Sequence, residues 1–488
     1  MSAQENRWVD PAPLEVSRPR LPWWTMLPGW AKLLLVPVAV VWVACWAVFQ
    51  FARITYRYPL TITTSAAAGL LAAFHGYLAV TVAVAGVTVV AVAWWRLHPD
   101  SFHQFAAPQP VTEYRRFAVY ACQWRTVMRL SELTKDKRGR EYRPKLGRLR
   151  SHGWRDVVRV TMAKGQAPEQ WELHASGLAH SFRARHCRVR VRKPGRLELD
   201  LIHRDPLAPS IPAPTLGLDA SGVDLRRLVI GRTETGKPWT VSLLGNHLLG
   251  VGSTGAGKAS VSWSIVRALA PAIKADRVRV FGIDPKGGME LSACAEAFHT
   301  LACDNGDKAV NLLEYLAGEV KARAERYRGR RTWTPESGDP FLVLLVDELA
   351  DVIAYQTDRN LRDRAVKAIQ AITSQGRAPG VCVLGFLQDP RKEIVPFRHL
   401  FPTKIALRLD EPAQVDMVLG DGVRQRGAAA HEIPESTPGV AWVKHDGHRE
   451  PVRARAFHIT DEDLADLVAF LTAHTTDIPV LVTEGARA

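Results

Sequence analysis

The stretch HLLGVGSTGAGKAS, residues 247–260, decides how this chain reads. An apolar run of strand character passes into a glycine-rich turn, and the turn opens a helical stretch at Lys258. This is the GxxxxGK phosphate-loop (Walker A) pattern in its strand, loop, helix context, and the context carries more weight than the letters. Glycines let backbone N–H groups wrap phosphate oxygens, the helix N-terminus adds its dipole, and a lysine at 258 reaches the β- and γ-phosphates. The candidate nucleotide-binding residues are therefore Gly252, Ser253, Thr254, Gly255, Ala256, Gly257, Lys258, Ala259 and Ser260. Position 259 breaks the pattern, because Ser or Thr normally offers Mg²⁺ a hydroxyl there. The Ser260 hydroxyl lies about 100° further around the helix. Either Ser260 or water substitutes, or the site binds nucleotide poorly.

Downstream, further apolar runs alternate with helical stretches: VRVFGI, LVLLVDE, VCVLGFL and TKIALRL. That alternation predicts an α/β fold with a mainly parallel sheet and helices on both faces. Leu342 to Val346 form a fully apolar strand ending in Asp347-Glu348, the Walker B form. Asp347 is placed to hold hydrated Mg²⁺, and Glu348 to polarise the attacking water. Phosphoryl transfer is mostly positioning and charge neutralisation, so further groups should converge on the γ-phosphate. Gln388, directly after VCVLGFL, is either a sensor of that phosphate from an adjacent strand end or an ordinary surface amide. Arg377, in the turn GRAPG before the same strand, either contacts nucleotide or a neighbouring subunit, or is a surface charge.

Toward the N-terminus the chemistry changes. Twenty uncharged residues between Lys32 and Arg53 can cross about 30 Å of hydrocarbon. A second uncharged stretch between Arg57 and Arg96 is densest in Val and Ala from about Gly76 to Trp95. Trp23, Trp24 and Trp30 before the first run, and Trp94 and Trp95 closing the second, suit the headgroup layer. The reading is a multi-pass cell-membrane anchor of two helices with both ends cytoplasmic, on the side where ATP is found. Six cysteines without CxxC or Cys/His clustering argue for reduced thiols and no structural zinc.

The chain's net charge is +15, and residues 111–205 carry 23 Lys/Arg against 10 Asp/Glu. Such an excess suits a polyanion or an acidic membrane surface. FAVYACQW, VVRVTM and CRVRVRK read as strands and residues 133–154 as a basic loop, giving a small α+β or mostly β module. Alternation over His186–Arg192 puts arginines on one strand face, which either follows a phosphate backbone or is simply solvated or drawn to anionic lipid. Four prolines between Pro206 and Pro214 mark a linker. The expected layout is thus 1–32 cytoplasmic segment, 33–95 anchor, 96–205 basic module, 206–215 linker, 216–474 motor, and 475–488 tail.

With the blocks HLLGVGSTGAGKAS (247–260), GIDPKGGMELS (282–292), LVLLVDELADVI (342–353), GRAPGVCVLGFLQDP (376–390) and PTKIALRLDEPAQVDMVLG (402–420) in this order, the chain resembles the FtsK/SpoIIIE family of membrane-anchored double-stranded DNA translocases. The resemblance covers about Leu216 to Leu471, and Asp284-Pro285-Lys286 is its specific part. It implies a RecA-like P-loop NTPase motor using ATP and Mg²⁺, assembled as a homohexamer around duplex DNA, with Arg377, Lys404 or Arg408 acting in trans. Two spans rather than four, and a tail too short for the winged-helix reader of chromosome-segregation members, point toward the short transfer proteins of actinobacterial conjugative elements. Small-then-Ser after the loop lysine is shared with that branch. A separate origin-recognition partner would then select the DNA. The competing readings are a secretion-type coupling ATPase for protein or single-stranded DNA, and a degenerate scaffold that does not hydrolyse ATP.

Overall fold

Proline at its first position starts the long helix α1 (Pro59–Leu97), in the computed structural model that describes residues 58–98, 108–137, 140–217, 222–391 and 396–473 with scattered residues between 41 and 56. Segment 1–32, most of the first predicted span and the tail 475–488 lie outside the described residues. Contacts divide the chain into Met1–Arg115 and Arg116–Ala488.

In the first unit, α1 has a mean hydropathy of 2.2 and no buried residue, and among the described residues it alone is long and apolar enough to cross a membrane. Gly76, at φ +79°, breaks its helical geometry, and Tyr77 to Leu97 then run on for about 30 Å. That part coincides with the second predicted span. The exposed N–H groups of its first turn are met by Glu113, on the short helix α2 (Pro108–Tyr114), whose carboxylate accepts from Leu60 N (2.7 Å) and Thr61 N (2.9 Å). A negative charge there is favoured by the helix dipole.

The second unit begins with a π-helical turn, Arg115–Ala121, that leads into α3 (Cys122–Leu130). This corrects the strand expected for FAVYACQW. Tyr120, Trp124, Val127 and Met128 are all buried and recur at helical, not strand, spacing. With α4 (Pro168–Leu173) and α5 (Ala175–Ser181) they cover one face of a four-stranded antiparallel sheet of order β1-β2-β4-β3. Its strands are β1 (Lys145–Ser151), β2 (Arg155–Thr161), β3 (His186–Lys193) and β4 (Arg196–Ile202). Strands β2 and β3 match VVRVTM and CRVRVRK. Strand β1 lies inside the stretch expected to be a basic loop, where Leu149 and Ser151 alternate inward between exposed arginines.

The larger sheet has ten strands: β5 (Leu228–Thr233), β6 (Pro238–Val241), β7 (Leu248–Val251), β8 (Val278–Ile283), β9 (Thr300–Ala302), β10 (Phe341–Val346), β11 (Val381–Leu387), β12 (Thr403–Ala406), β13 (Val440–Lys444) and β14 (Val452–Ala456). Their order is β9-β8-β10-β11-β7-β12-β13-β14-β5-β6. The first six are parallel and the last four antiparallel, so the sheet is mixed where a mainly parallel one was expected. The parallel strands β7, β10 and β11 are buried on both faces, as continuous apolar runs require, while the edge strand β9 is partly exposed. Leu249, Phe281, Leu344 and Val383 pack toward α7 (Asp307–Arg326) and α8 (Arg359–Gln375). Leu248, Val280, Val343 and Leu384 pack toward α6 (Lys258–Lys274) and α9 (Asp461–Thr472).

The small and large sheets meet at a charged seam. Arg188 lies 3.1 Å from Glu234 and its guanidinium stacks 4.8 Å from the Trp442 ring centre, while Arg155 approaches Asp200 (3.5 Å) and Glu234 (3.6 Å). Arg190 pairs with Asp200. These two arginines of the alternating strand therefore satisfy buried carboxylates and are withdrawn from any phosphate backbone or solvated face. The proline-rich stretch 206–215 is likewise pinned. Asp205 accepts both Arg453 Nη atoms at 2.7 Å, Arg455 Nη1 donates to the Leu207 and Ala208 carbonyls, and His458 N donates to Ile211 O.

Candidate nucleotide site

Each parallel strand delivers one piece of the site at its carboxyl end, the edge where open α/β sheets bind ligands. From β7 the chain enters the glycine-rich loop. Gly252 N donates to Leu387 O at 3.1 Å, so the loop is tied to β11 from its first residue. Gly255 (φ +72°) and Gly257 (φ +91°) take left-handed conformations that a side chain would strain. At 257 a Cβ would also stand 2.2 Å from Gly439 N, whose amide donates to Ala256 O at 2.9 Å. Lys258 opens α6 with Nζ curled back onto Gly252 O at 2.9 Å.

Strand β8 delivers Asp284-Pro285-Lys286. Asp284 is wholly buried, and its carboxylate accepts from Lys286 N (3.1 Å), Glu290 N (2.9 Å) and Leu291 N (3.0 Å). That collar fixes the turn and aims Lys286, whose Nζ lies 3.7 Å from Asp347 Oδ2 and 4.0 Å from Glu348 Oε2. Strand β10 supplies those two carboxylates. Strand β11 supplies Gln388, whose N–H donates to Glu348 Oε1 (3.3 Å) and whose Oε1 accepts from Thr254 Oγ1 (3.1 Å). Past β12, Arg408 accepts from Ser253 N (2.9 Å) and Oγ (3.1 Å) through its carbonyl and donates from Nη2 to Thr254 O (2.7 Å).

Burial sets the electrostatics. It pushes the Glu348 carboxyl up to about 7 against the pull of Lys258 and Lys286. Burial raises Asp347 as well, opposed first by Lys286, and lowers the Lys258 ammonium, opposed first by Glu348. Glu348 Oε2 is buried without a hydrogen-bond partner. A cavity of about 790 Å³ opens over these groups, with Thr254, Lys286, Glu348, Tyr355, Gln388 and Arg408 in its wall.

Of the site residues read from sequence, Glu348, Asp347 and Gln388 are thus joined in one network through Thr254 and Lys286, and Lys258, bonded to Gly252 O, acts on the two carboxylates through its charge. Arg377 is not. It precedes β11, at the opposite end of the sheet, where its Nε donates to Gly245 O (2.6 Å) and its Nη2 faces Asp446 (3.9 Å). Contact with the nucleotide of its own loop is excluded by that position. Ser260 is half-buried, with its Cβ 3.5 Å from where a Cβ on Gly439 would stand, and Ala259 packs against the α6-side core. Two residues carry roles that the sequence reading missed: Lys286 beside the carboxylates, and Arg408 as a brace of its own loop. Reading the residues just past every parallel strand would have found both.

Residues 219–334 match the FtsK/SpoIIIE family, and residues 86–203 match the actinomycete conjugal transfer protein N-terminal domain. The chain therefore carries an FtsK/SpoIIIE family domain preceded by a TraSA-type N-terminal domain. The first match includes Lys258 and Lys286 and ends before Asp347. The chain is similar to transfer protein TraSA of Streptomyces ambofaciens, at 30% identity over 257 residues, 48% of this chain and 60% of that protein. It is also similar to DNA translocase FtsK of Staphylococcus aureus, at 24% identity over 264 residues, 50% of this chain and 32% of that one. The matches span less than two thirds of either relative. Among solved structures, the monomer form of the pCW3 conjugation coupling protein TcpA with ATPγS aligns over 71% of this chain and 98% of its own, at 18% identity and a TM-score of 0.46. The cytoplasmic domain of the Thermomonospora curvata type VII secretion ATPase EccC aligns over 56% and 34%, at 20% identity and a TM-score of 0.42.

Proposed function

We propose that this chain is a membrane-anchored, ATP-driven double-stranded DNA translocase of conjugative transfer, working as a homohexamer with its motor in the cytoplasm. The observation that carries the reading is the convergence of Lys258, Asp347, Glu348 and Gln388 on one strand edge, in a chain that pairs an FtsK/SpoIIIE domain with a conjugal-transfer domain. The residues fit ATP and Mg²⁺. The loop turns on two left-handed glycines into the start of α6, and two desolvated carboxylates, one with an orphaned oxygen, are opposed by the ammonium groups of Lys286 and Lys258.

When bound, MgATP supplies the phosphoanhydride bond and the charge that the metal screens. Lys258 would leave Gly252 O and place its ammonium on the β- and γ-phosphates. Asp347 would hold the metal, with Ser260 as the candidate hydroxyl. Glu348, raised toward neutrality, is suited to take a proton from the attacking water near physiological pH. Gln388 links Glu348, through its backbone N–H, to Thr254, through its side-chain Oε1, so the loop and the base meet at one residue.

Purified full-length protein in detergent is expected to hydrolyse ATP with Mg²⁺, and duplex DNA of any sequence is expected to raise the rate. A strong preference for single strands would move the assignment to the coupling-ATPase class, and absence of turnover to a scaffold. Replacing Ser260 by alanine should weaken Mg²⁺-dependent turnover severely, read as a rise in the Mg²⁺ concentration for half-maximal rate. A variant that matches the parent in a Mg²⁺ titration removes Ser260 from the metal site.

A further inference from the structure

The small sheet's two faces differ. One is roofed by α3, α4 and α5; the other holds the seam at one end. In an antiparallel pair, residues directly opposite each other share a face. Arg188 faces Asp200, and Asp200 faces Val157, which sets the row that carries the seam. Two residues along lies a second row, in which Arg190 faces Glu198 and Glu198 faces Arg159. Next along, Lys145, Thr161, Arg196 and Lys193 face one another in sequence across all four strands.

Burial falls along these rows from the seam outward. On β4, Asp200 is buried, Glu198 half-buried and Arg196 exposed; on β2, Val157 is buried and Arg159 exposed. The outer end of the face therefore presents Lys145, Arg159, Lys193 and Arg196, all exposed and, among the described residues, without an ion pair. Its one carboxylate, Glu198, is already paired with Arg192. With strands about 4.8 Å apart, the row crosses roughly 14 Å of flat surface.

We propose that this outer row is a sequence-independent contact surface for the phosphate backbone of duplex DNA. The proposal rests on the translocase reading above. Charge complementarity selects a polyanion, and duplex DNA offers a regular line of phosphates that such a flat row can follow without reading bases. A lipid surface would be met by basic and large apolar side chains together. On this module the exposed apolar side chains Phe117, Leu130 and Leu173 stand on the helical layer and Val191, opposite the core residue Leu197, on the roofed face of β3, whereas the basic row has none among its residues.

The test compares the full-length protein in neutral detergent micelles with the triple variant Arg159→Gln, Lys193→Gln, Arg196→Gln, binding random-sequence duplexes across a salt series. Three lost phosphate contacts should flatten the slope of log K against log salt by about 2.7. At about 0.1 M salt the affinity should fall roughly tenfold or more, equally for every duplex. ATP turnover without DNA should stay at the parent rate, which reports an intact fold. Unchanged slope and affinity in the variant overturn the proposal and leave the translocase reading standing, with DNA held elsewhere. Retained duplex binding together with lost binding of soluble dihexanoyl phosphatidylglycerol overturns it in favour of lipid headgroups. If the parent protein hydrolyses ATP but binds no duplex, the translocase reading itself falls, and this proposal with it.

Discussion

Replacing Lys258 with alanine is expected to abolish ATP turnover and most nucleotide binding. The ammonium is partly desolvated and has one hydrogen-bond acceptor in its own loop, Gly252 O, so its charge is available to a phosphate oxygen. Truncating one partner of such a charge pair costs about 2–5 kcal/mol, or roughly thirty- to several-thousand-fold in affinity. Glu348 would also lose the first of the two cations that oppose its protonation. Equilibrium binding of a fluorescent ATP analogue, measured beside steady-state hydrolysis, checks both effects. Turnover equal to that of the parent would remove the glycine-rich loop from the chemistry.

Glu348→Gln is expected to separate binding from hydrolysis. Glutamine keeps the shape of the side chain and an oxygen for the Gln388 N–H, but it cannot accept a proton from water. General-base catalysis contributes about 10²–10⁴-fold, so turnover should fall by that order while ATP affinity stays within a few-fold. Single-turnover hydrolysis and direct ATP binding on the same preparation give the comparison. A parallel loss of affinity would place Glu348 among the groups that hold nucleotide.

Five of the six strands in the parallel half of the large sheet were legible because they lie inside the sheet and must be apolar runs; the short, partly exposed edge strand β9 carries no such signal. HLLGVG, VRVFGI, LVLLVDE, VCVLGFL and TKIALRL all emerged at the expected places. The antiparallel half was not. In VRARA, Arg453 and Arg455 are buried against Asp205 and the backbone of the proline-rich segment, partners so far away in sequence that nothing local marks the stretch as a strand. The same reason hid the seam, since alternation tells which residues share a strand face but not what covers it. In the site, Lys258, Asp347, Glu348 and Gln388 carry local signals. Lys286 and Arg408 gain their roles only when β8 and β12 are aligned beside β7 and β10, and the same alignment takes Arg377 away from the nucleotide of its own loop.

The amide of Gly439 binds the phosphate loop at Ala256 O, and strand β13, which starts at the next residue, carries Trp442, on which Arg188 of the small sheet is stacked. Gly439 itself sits in a left-handed turn (φ +81°), and from Val440 to Trp442 the backbone is extended and ladder-bonded for about 7 Å. Such a strand is stiff along its length, so it acts as a strut between the phosphate loop and the arginine-lined platform. A displacement of the loop would reach the platform along this route through that one glycine and the strand that follows it. On the translocase reading proposed above, Gly439 is the joint at which motion of the loop and motion of the platform would be coupled.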